Sequence, residues 1–165
     1  MVTNAHRVFE NGSIHGSYHG AITVGTVQAD ELRAARDHIR DALREGLRDW
    51  QPHTNKRELF DVALGSAEPP TLKPKFHMQG SFSYRTQVEP AWLPPQEIDL
   101  DDGMFLPVSY LTTGGSSHPV VVSQGLFKLV ESALAPLCEK NGWRLVTDKP
   151  SCVRVEISAM AHVDI

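Results

Sequence analysis

The run from Gln79 to Pro107, QGSFSYRTQVEPAWLPPQEIDLDDGMFLP, holds the residues best suited to chemistry. Within it lies Glu97-Ile98-Asp99-Leu100-Asp101-Asp102-Gly103. In an extended strand alternate side chains face the same way, so Ile98 and Leu100 point to one side while Asp99 and Asp101 share the other. Their Cα atoms then lie about 6.5–7 Å apart. Two carboxylates held that close repel each other, and a divalent cation between them is the usual way to stabilise the pair. Upstream, Gly80-Ser81 forms a turn whose backbone N–H groups suit a nucleotide phosphate tail. A phosphate-holding turn beside paired metal-binding carboxylates is the outline of a nucleotidyltransferase. Each part alone has a plainer reading: D-x-D is an ordinary solvated strand face, and Gly-Ser an ordinary turn.

The wording around these residues narrows the choice. QGSF-x-Y-x-T from Gln79, Pro94-Pro95-Gln96-Glu97, and I-D-L-D-D-G-x-x-L-P from Ile98 closely resemble the nucleotidyltransferase core of bacterial cyclic-dinucleotide synthases. These are the cGAS/DncV-like enzymes of anti-phage (CBASS) signalling. The resemblance is densest from Pro74 to Pro107 and looser elsewhere. It implies a polymerase-β-like fold, an α/β (α+β) domain with a mixed sheet flanked by helices. It also implies synthesis of a cyclic di- or oligonucleotide from NTPs, with ATP as substrate and GTP or a pyrimidine NTP as further candidates.

Phosphoryl transfer leaves the protein to position reactants and neutralise charge, a task for two Mg²⁺ (or Mn²⁺) ions. Asp99 and Asp101 are expected to ligate both ions. A third carboxylate is then needed on a neighbouring strand. Asp164, an unremarkable C-terminal carboxylate by itself, matches the family's H-x-D context in His162-Val163-Asp164. It is expected to hold the ion that activates the attacking hydroxyl. Ser81 and the amides around Gly80 are expected at the β/γ-phosphates. Gln79 matches a family position that reaches the nucleotide, and Tyr84 is a candidate for the base or ribose. Asp102 reads as a turn residue ahead of Gly103. Glu97 shares the face of Asp99 and can support a ligand. His77 and His162 read as structural or supporting, since hard Mg²⁺ prefers oxygen.

A length of 165 residues suits one domain with a real core. The net charge of −4 argues against a general grip on nucleic acid. No apolar run approaches the ~20 residues that cross a bilayer, and no signal peptide opens the chain, so a cytoplasmic protein without membrane partners is expected. Cys138 and Cys152 read as buried free thiols.

The elements that must position these residues follow from periodicity. Residues 1–27, with Asn11-Gly12-Ser13 and His19-Gly20, read as a loop-rich segment ahead of a core spanning 28–165. From Asp30, apolar Leu32, Ala35, Ile39, Leu43 and Leu47 keep helical spacing, flanked by Arg33, Arg36, Arg40, Arg44 and Arg48. Interleaved Asp37, Asp41, Glu45 and Asp49 make that arginine stripe read as a solvated, salt-bridged face. Asn55 and Glu58 form a capping box for a second helix ending near Gly65, and Pro69, Pro70 and Pro74 mark an extended linker. Ser81 to Thr86 reads as a short helix, Glu97 to Tyr110 as a strand with its continuation, and Leu111 to Pro119 as a mobile loop. A helix from Ser123 to about Gly142 contains Pro136, where a kink or split is expected. Trp143 to Thr147 reads as a short strand. From Cys152 to Ile165 alternation is continuous and predicts a strand with Val153, Val155, Ile157, Ala161 and Val163 on one face.

The chain stops one residue after Asp164. The resembled synthases are about twice as long, so the chain reads as the N-terminal part of a longer enzyme, without the C-terminal helical half. Partners would include that half, or regulatory proteins of a defence operon. An alternating strand at the terminus also predicts an exposed sheet edge. Two other readings stay open: a minimal nucleotidyltransferase that adenylylates a protein or small molecule, and a non-catalytic nucleotide-binding remnant.

Overall fold

The structure, a computed structural model, describes residues 18–48, 73–92, 96–106, 123–147 and 149–165. In chain order the elements are α1 (Tyr18–Ile22), α2 (Thr26–Gly46), β1 (Lys75–Met78), α3 (Gly80–Tyr84), β2 (Ile98–Phe105), α4 (Ser123–Asn141), β3 (Arg144–Val146), β4 (Arg154–Ser158) and β5 (Ala161–Asp164). The strands form one mixed sheet in the order β1-β2-β5-β4-β3. Among the described residues only the β2–β5 pair is parallel. The mixed sheet with flanking helices agrees with the expected α/β architecture.

Strand alternation divides the sheet into two faces. Ile98 and Leu100 of β2, Val163 of β5 and Val155 of β4 are buried on one of them. Helix α2 lays Ala29, Leu32, Ala35, Ile39 and Leu43 into the same core, and α4 adds Val130, Leu134 and Cys138. Fully burying an aliphatic side chain of this size contributes about 1.5–3 kcal/mol, so this layer supplies much of the driving force for folding. The two helices touch closely: a Cβ on Gly46 would stand 2.8 Å from the Cβ of Ala133. Alanine at 46 would force them apart.

Three sequence expectations change. The 152–165 segment is a hairpin of two strands, turned at Ala159-Met160, with a register irregularity between Glu156 and Ser158. The turn and bulge preserve alternation, so periodicity alone cannot separate one strand from two. Strand β5 consequently lies between β2 and β4, and the edge expected at the C-terminus is paired on both sides. Within the segment read as loop, Tyr18–Ile22 is helical. It is tied down by Glu89, whose N–H donates to Ile22 C=O at 2.6 Å and whose Oε1 accepts from Gly25 N–H at 2.8 Å. Helix α4 runs through Pro136 without splitting.

Cys138 and Cys152 are free; Cys138 is buried and Cys152 half-buried. The expected helix at 55–65, the linker prolines Pro69 and Pro70, and the loop at 111–119 lie outside the described residues. Among the described residues no helix is long and apolar enough to cross a membrane.

Candidate functional site

The second face of the sheet is polar, and register assembles it. Across the parallel β2–β5 pair, Asp99 stands opposite His162 and Asp101 opposite Asp164. Across β4–β5, Arg154 stands opposite Asp164 and Glu156 opposite His162. Directly opposed residues point to the same side of a sheet, so Asp99, Asp101, His162, Asp164 and Arg154 share one face. Leu100 and Val163 lie beneath them.

The Gln79–Gly80 turn closes one border of this cluster. Gln79 N–H donates to the Asp101 carbonyl at 2.9 Å, binding the turn to the carboxylate-bearing strand. Gly80 has φ +57°, and a Cβ built there would fall inside van der Waals contact with Asp101 Oδ2. Only glycine satisfies both demands. Gly103 has a related role: Gln79 Nε2 lies where its Cβ would be, and Phe105 Cε2 would stand 3.0 Å away. Thus Gly103 sits inside β2 because the Gln79 side chain crosses over it, rather than ending a turn. Ser81 follows in the first turn of α3, where N–H groups have no partner within the helix. Tyr84, at the end of α3, is 77% exposed.

The electrostatics are those of crowded acids. Burial raises the Asp101 pKa, and the charges of Asp99 and Asp164 raise it further. Asp164 goes the other way: burial pushes its carboxyl up, but hydrogen bonds and charge from Arg154 outweigh that and hold it below the usual value. His162 is 4% exposed. Its Nδ1 lies 2.6 Å from Glu97 Oε2 and its Nε2 lies 3.0 Å from Asp99 Oδ1. The second contact is too oblique for a hydrogen bond, leaving Nε2 and Oδ1 buried without a hydrogen-bonding partner. Burial alone would depress the imidazole, yet the Asp99 carboxylate beside it brings the net shift upward. Glu97 therefore orients His162, and His162 in turn stands against Asp99.

Ligand atoms of Asp99, His162 and Asp164 all lie within 4.8 Å of one another. Two buried polar atoms without hydrogen-bonding partners, Asp99 Oδ1 and His162 Nε2, belong to that group, and the raised Asp101 carboxyl adjoins it. Such a set fits a divalent cation: carboxylate oxygens supply hard ligands, and a cation relieves their mutual repulsion. The grouping differs from the expected Asp99, Asp101 and Asp164 in having His162 in the place of Asp101, whose carboxyl lies beside the group. The H-x-D spacing pointed to Asp164 but gave no sign that Glu97, 65 residues away, would fix the ring.

Asp102 is the clearest departure. It was expected in a turn; it lies inside β2, is 1% exposed and points to the helical face. Arg40 of α2 grips it with both arms, Nε to Oδ2 at 2.7 Å and Nη2 to Oδ1 at 2.5 Å. The Arg40 guanidinium also lies 5.6 Å from the centre of the Phe76 ring. The arginine stripe is therefore only partly a solvated face. Arg33 and Arg44 pair with Asp30 and Asp41 along the helix, whereas Arg40 crosses to the sheet. His77 packs edge-on against Phe105, with ring centres 5.3 Å apart.

With this geometry in place, similarity to known proteins is specific. The family model described as the nucleotidyltransferase domain of cyclic GMP-AMP synthase DncV-like proteins matches residues 74–165. Cyclic GMP-AMP synthases of Escherichia coli and Vibrio cholerae are each 36% identical over 96 residues, which cover 57% of this chain and 21% of the relative. A V. cholerae di-nucleotide cyclase (DncV) structure in complex with ATP, GTP and 5MTHFGLU2 aligns with TM-score 0.71 at 24% identity, over 99% of this chain and 49% of that one. The V. cholerae enzyme with the linear intermediate pppA(3′,5′)pG aligns with TM-score 0.68 at 23% identity. The chain thus spans about half the length of these solved relatives. Through residues 74–165, more than half its length, it belongs to the DncV-like nucleotidyltransferase family.

Proposed function

We propose that this chain carries the nucleotide-donor half of a cyclic-dinucleotide synthase, acting in the cytoplasm of a bacterium as part of an anti-phage signalling system. The observation that carries the reading is the juxtaposition at Gly80: the Gln79–Ser81 turn lies directly against the Asp101 carboxylate, in register with Asp164. Asp99, Asp101 and Asp164 would hold two Mg²⁺ or Mn²⁺ ions, with His162 oriented by Glu97 to support Asp99. When bound, the ions activate the attacking hydroxyl and neutralise the leaving pyrophosphate.

The protein's own contribution is placement. The Gly80-Ser81 turn would bind the β/γ-phosphates of ATP, or of GTP or a pyrimidine NTP, through N–H groups and the Ser81 hydroxyl. Gln79, braced across Gly103, would define one border of the phosphate site. Tyr84 is exposed beside the turn and could stack on a base or ribose. In-line attack needs a second nucleotide's hydroxyl close to the α-phosphate, and holding it there can contribute several kcal/mol of effective molarity. That acceptor wall would come from further chain or from a partner, as would regulation by other proteins of the same defence system. The nucleotidyltransferase core is assigned to 28–165, with 1–27 as a separate leading segment.

The test is incubation of the protein with each labelled NTP and Mg²⁺ or Mn²⁺, followed by phosphatase and chromatography, beside Asp99→Asn/Asp101→Asn. Phosphatase-resistant cyclic product that disappears in the double variant supports the proposal. Label on protein or on a small acceptor favours simple adenylylation. Unchanged NTP together with no metal-dependent nucleotide binding overturns the proposal and leaves a non-catalytic remnant.

A further inference from the structure

Asp164 differs from Asp99 and Asp101 in what already holds it. Arg154, directly opposite across β4–β5, donates from Nε to Oδ1 and from Nη2 to Oδ2, both at 2.7 Å. Lys149 Nζ lies 3.6 Å from Oδ2. Both oxygens of this carboxylate are therefore engaged by the protein's own cations. The remaining arm of the guanidinium, Nη1, stands 4.0 Å from Glu97 Oε2. Arg154 is thus poised between a carboxylate it grips and another within a short side-chain movement.

One carboxylate oxygen of Asp164 is also a member of the ligand-atom group that it forms with Asp99 and His162, all within 4.8 Å of one another, and Arg154 engages both Asp164 oxygens. A divalent ion placed there would draw on an oxygen that the guanidinium uses. It would also lie close enough to repel it, since like charges a few ångströms apart interact strongly in a half-buried setting. Full ligation by Asp164 and a full Arg154 fork are therefore mutually weakening.

We propose that Arg154 is an internal competitor for the third carboxylate: a divalent ion takes Asp164 only as the guanidinium lets go and turns toward Glu97. The proposal rests on reading the Asp99–His162–Asp164 cluster as a metal site. Its consequence is a sign. If Arg154 merely oriented Asp164 for metal, removing it would weaken metal binding; as a competitor, its removal strengthens binding. Where the ungripped carboxylate is about a tenth of the population, apparent affinity is lowered about tenfold, and that factor is what the variant recovers.

The experiment is titration of Mn²⁺ into the nucleotide-free full chain, with free Mn²⁺ read by electron paramagnetic resonance. Arg154→Gln is expected to bind Mn²⁺ roughly tenfold more tightly than wild type, and adding Asp164→Asn to it should erase the gain. Binding by Arg154→Gln that is unchanged or weaker overturns the competitor while leaving the metal site in place. Absence of Mn²⁺ binding in both wild type and Arg154→Gln overturns the metal reading and this proposal with it. Should Arg154→Gln fail to fold by circular dichroism, Asp164→Asn in the wild-type background decides. A loss of affinity under about threefold supports an already occupied carboxylate, and a loss of about tenfold overturns it.

Discussion

Asp101 and Asp102 are neighbours in sequence and opposites in every physical respect. Asp101 faces the polar side, crowded by Asp99 and Asp164, with its carboxyl pushed up by burial and like charge. Asp102 faces the helices, fully buried, with both oxygens held by Arg40. Hydrogen bonding and charge from Asp102 in turn raise the Arg40 pKa. One strand therefore presents, on one side, Asp101 without an ion-pair partner of its own among crowded carboxylates and, on the other, a satisfied ion pair. Carboxylates kept in mutual repulsion have a use for a cation; a paired carboxylate serves the fold.

The largest effect should come from the crowded side. Asp99→Asn/Asp101→Asn is expected to lower nucleotide transfer by about a thousandfold or more while leaving the melting temperature equal or slightly higher, as activity assays and thermal melts would show. A variant that transferred normally would end the distinction between the two faces.

Breaking the buried side should do the reverse. Arg40→Met leaves Asp102 buried without its partner and is expected to cost about 3 kcal/mol in urea unfolding. Adding Asp102→Leu should recover most of that loss, because the penalty is an unpaired buried charge rather than a missing attraction. Failure to recover would mean that the pair itself, not its disruption, holds the strand.

Gly80→Ala probes the border between turn and cluster. The left-handed φ costs about 1–2 kcal/mol for a residue with a Cβ, and the new methyl displaces the Asp101 carboxylate. The unfolding free energy from urea titration should fall by that amount, and Mn²⁺ affinity should fall with it. Unchanged metal affinity would detach Asp101 from the site.

The smallest effect is a matter of pH. Because the Asp101 carboxyl titrates above its unfolded value, the ionised group opposes folding at neutral pH and ceases to do so as pH falls through its folded pKa. Asp101→Asn should therefore stabilise the metal-free protein at pH 7, and the advantage should vanish below about pH 4. Solvent screening at this partly exposed position limits it to a few tenths of a kcal/mol. A gain that persisted in acid would point to packing rather than charge.

Much of the site was legible because local rules govern it. Alternation put Asp99 and Asp101 on one side and Gly-Ser marked the turn, whereas Asp164 was marked by the family resemblance of its H-x-D context and by no local rule. What sequence could not show were partnerships across the fold. Asp102 beside Gly103 has the composition of a turn, and its true partner Arg40 lies 62 positions away in α2, disguised within a charged helical stripe. The Ala159-Met160 turn was hidden because a tight hairpin with a bulge preserved the alternating pattern through it. Missing that turn placed the last strand at an edge, when its position between β2 and β4 is what opposes Asp164 to Asp101.

That insertion has a kinetic side. The strand bearing Asp164 pairs with β4 through a tight turn but with β2 across a long stretch of sequence, so only the second pairing closes a long loop. Until β5 pairs with β2, Asp99 and Asp101 do not stand opposite His162 and Asp164. Repulsion between the carboxylates of these two strands therefore enters with the same pairing that sets Leu100 against Val163 in the core. A slip of one residue in the β2–β5 pairing would turn Val163 to the polar face and Asp164 into the core, a double penalty that leaves one register to fold into.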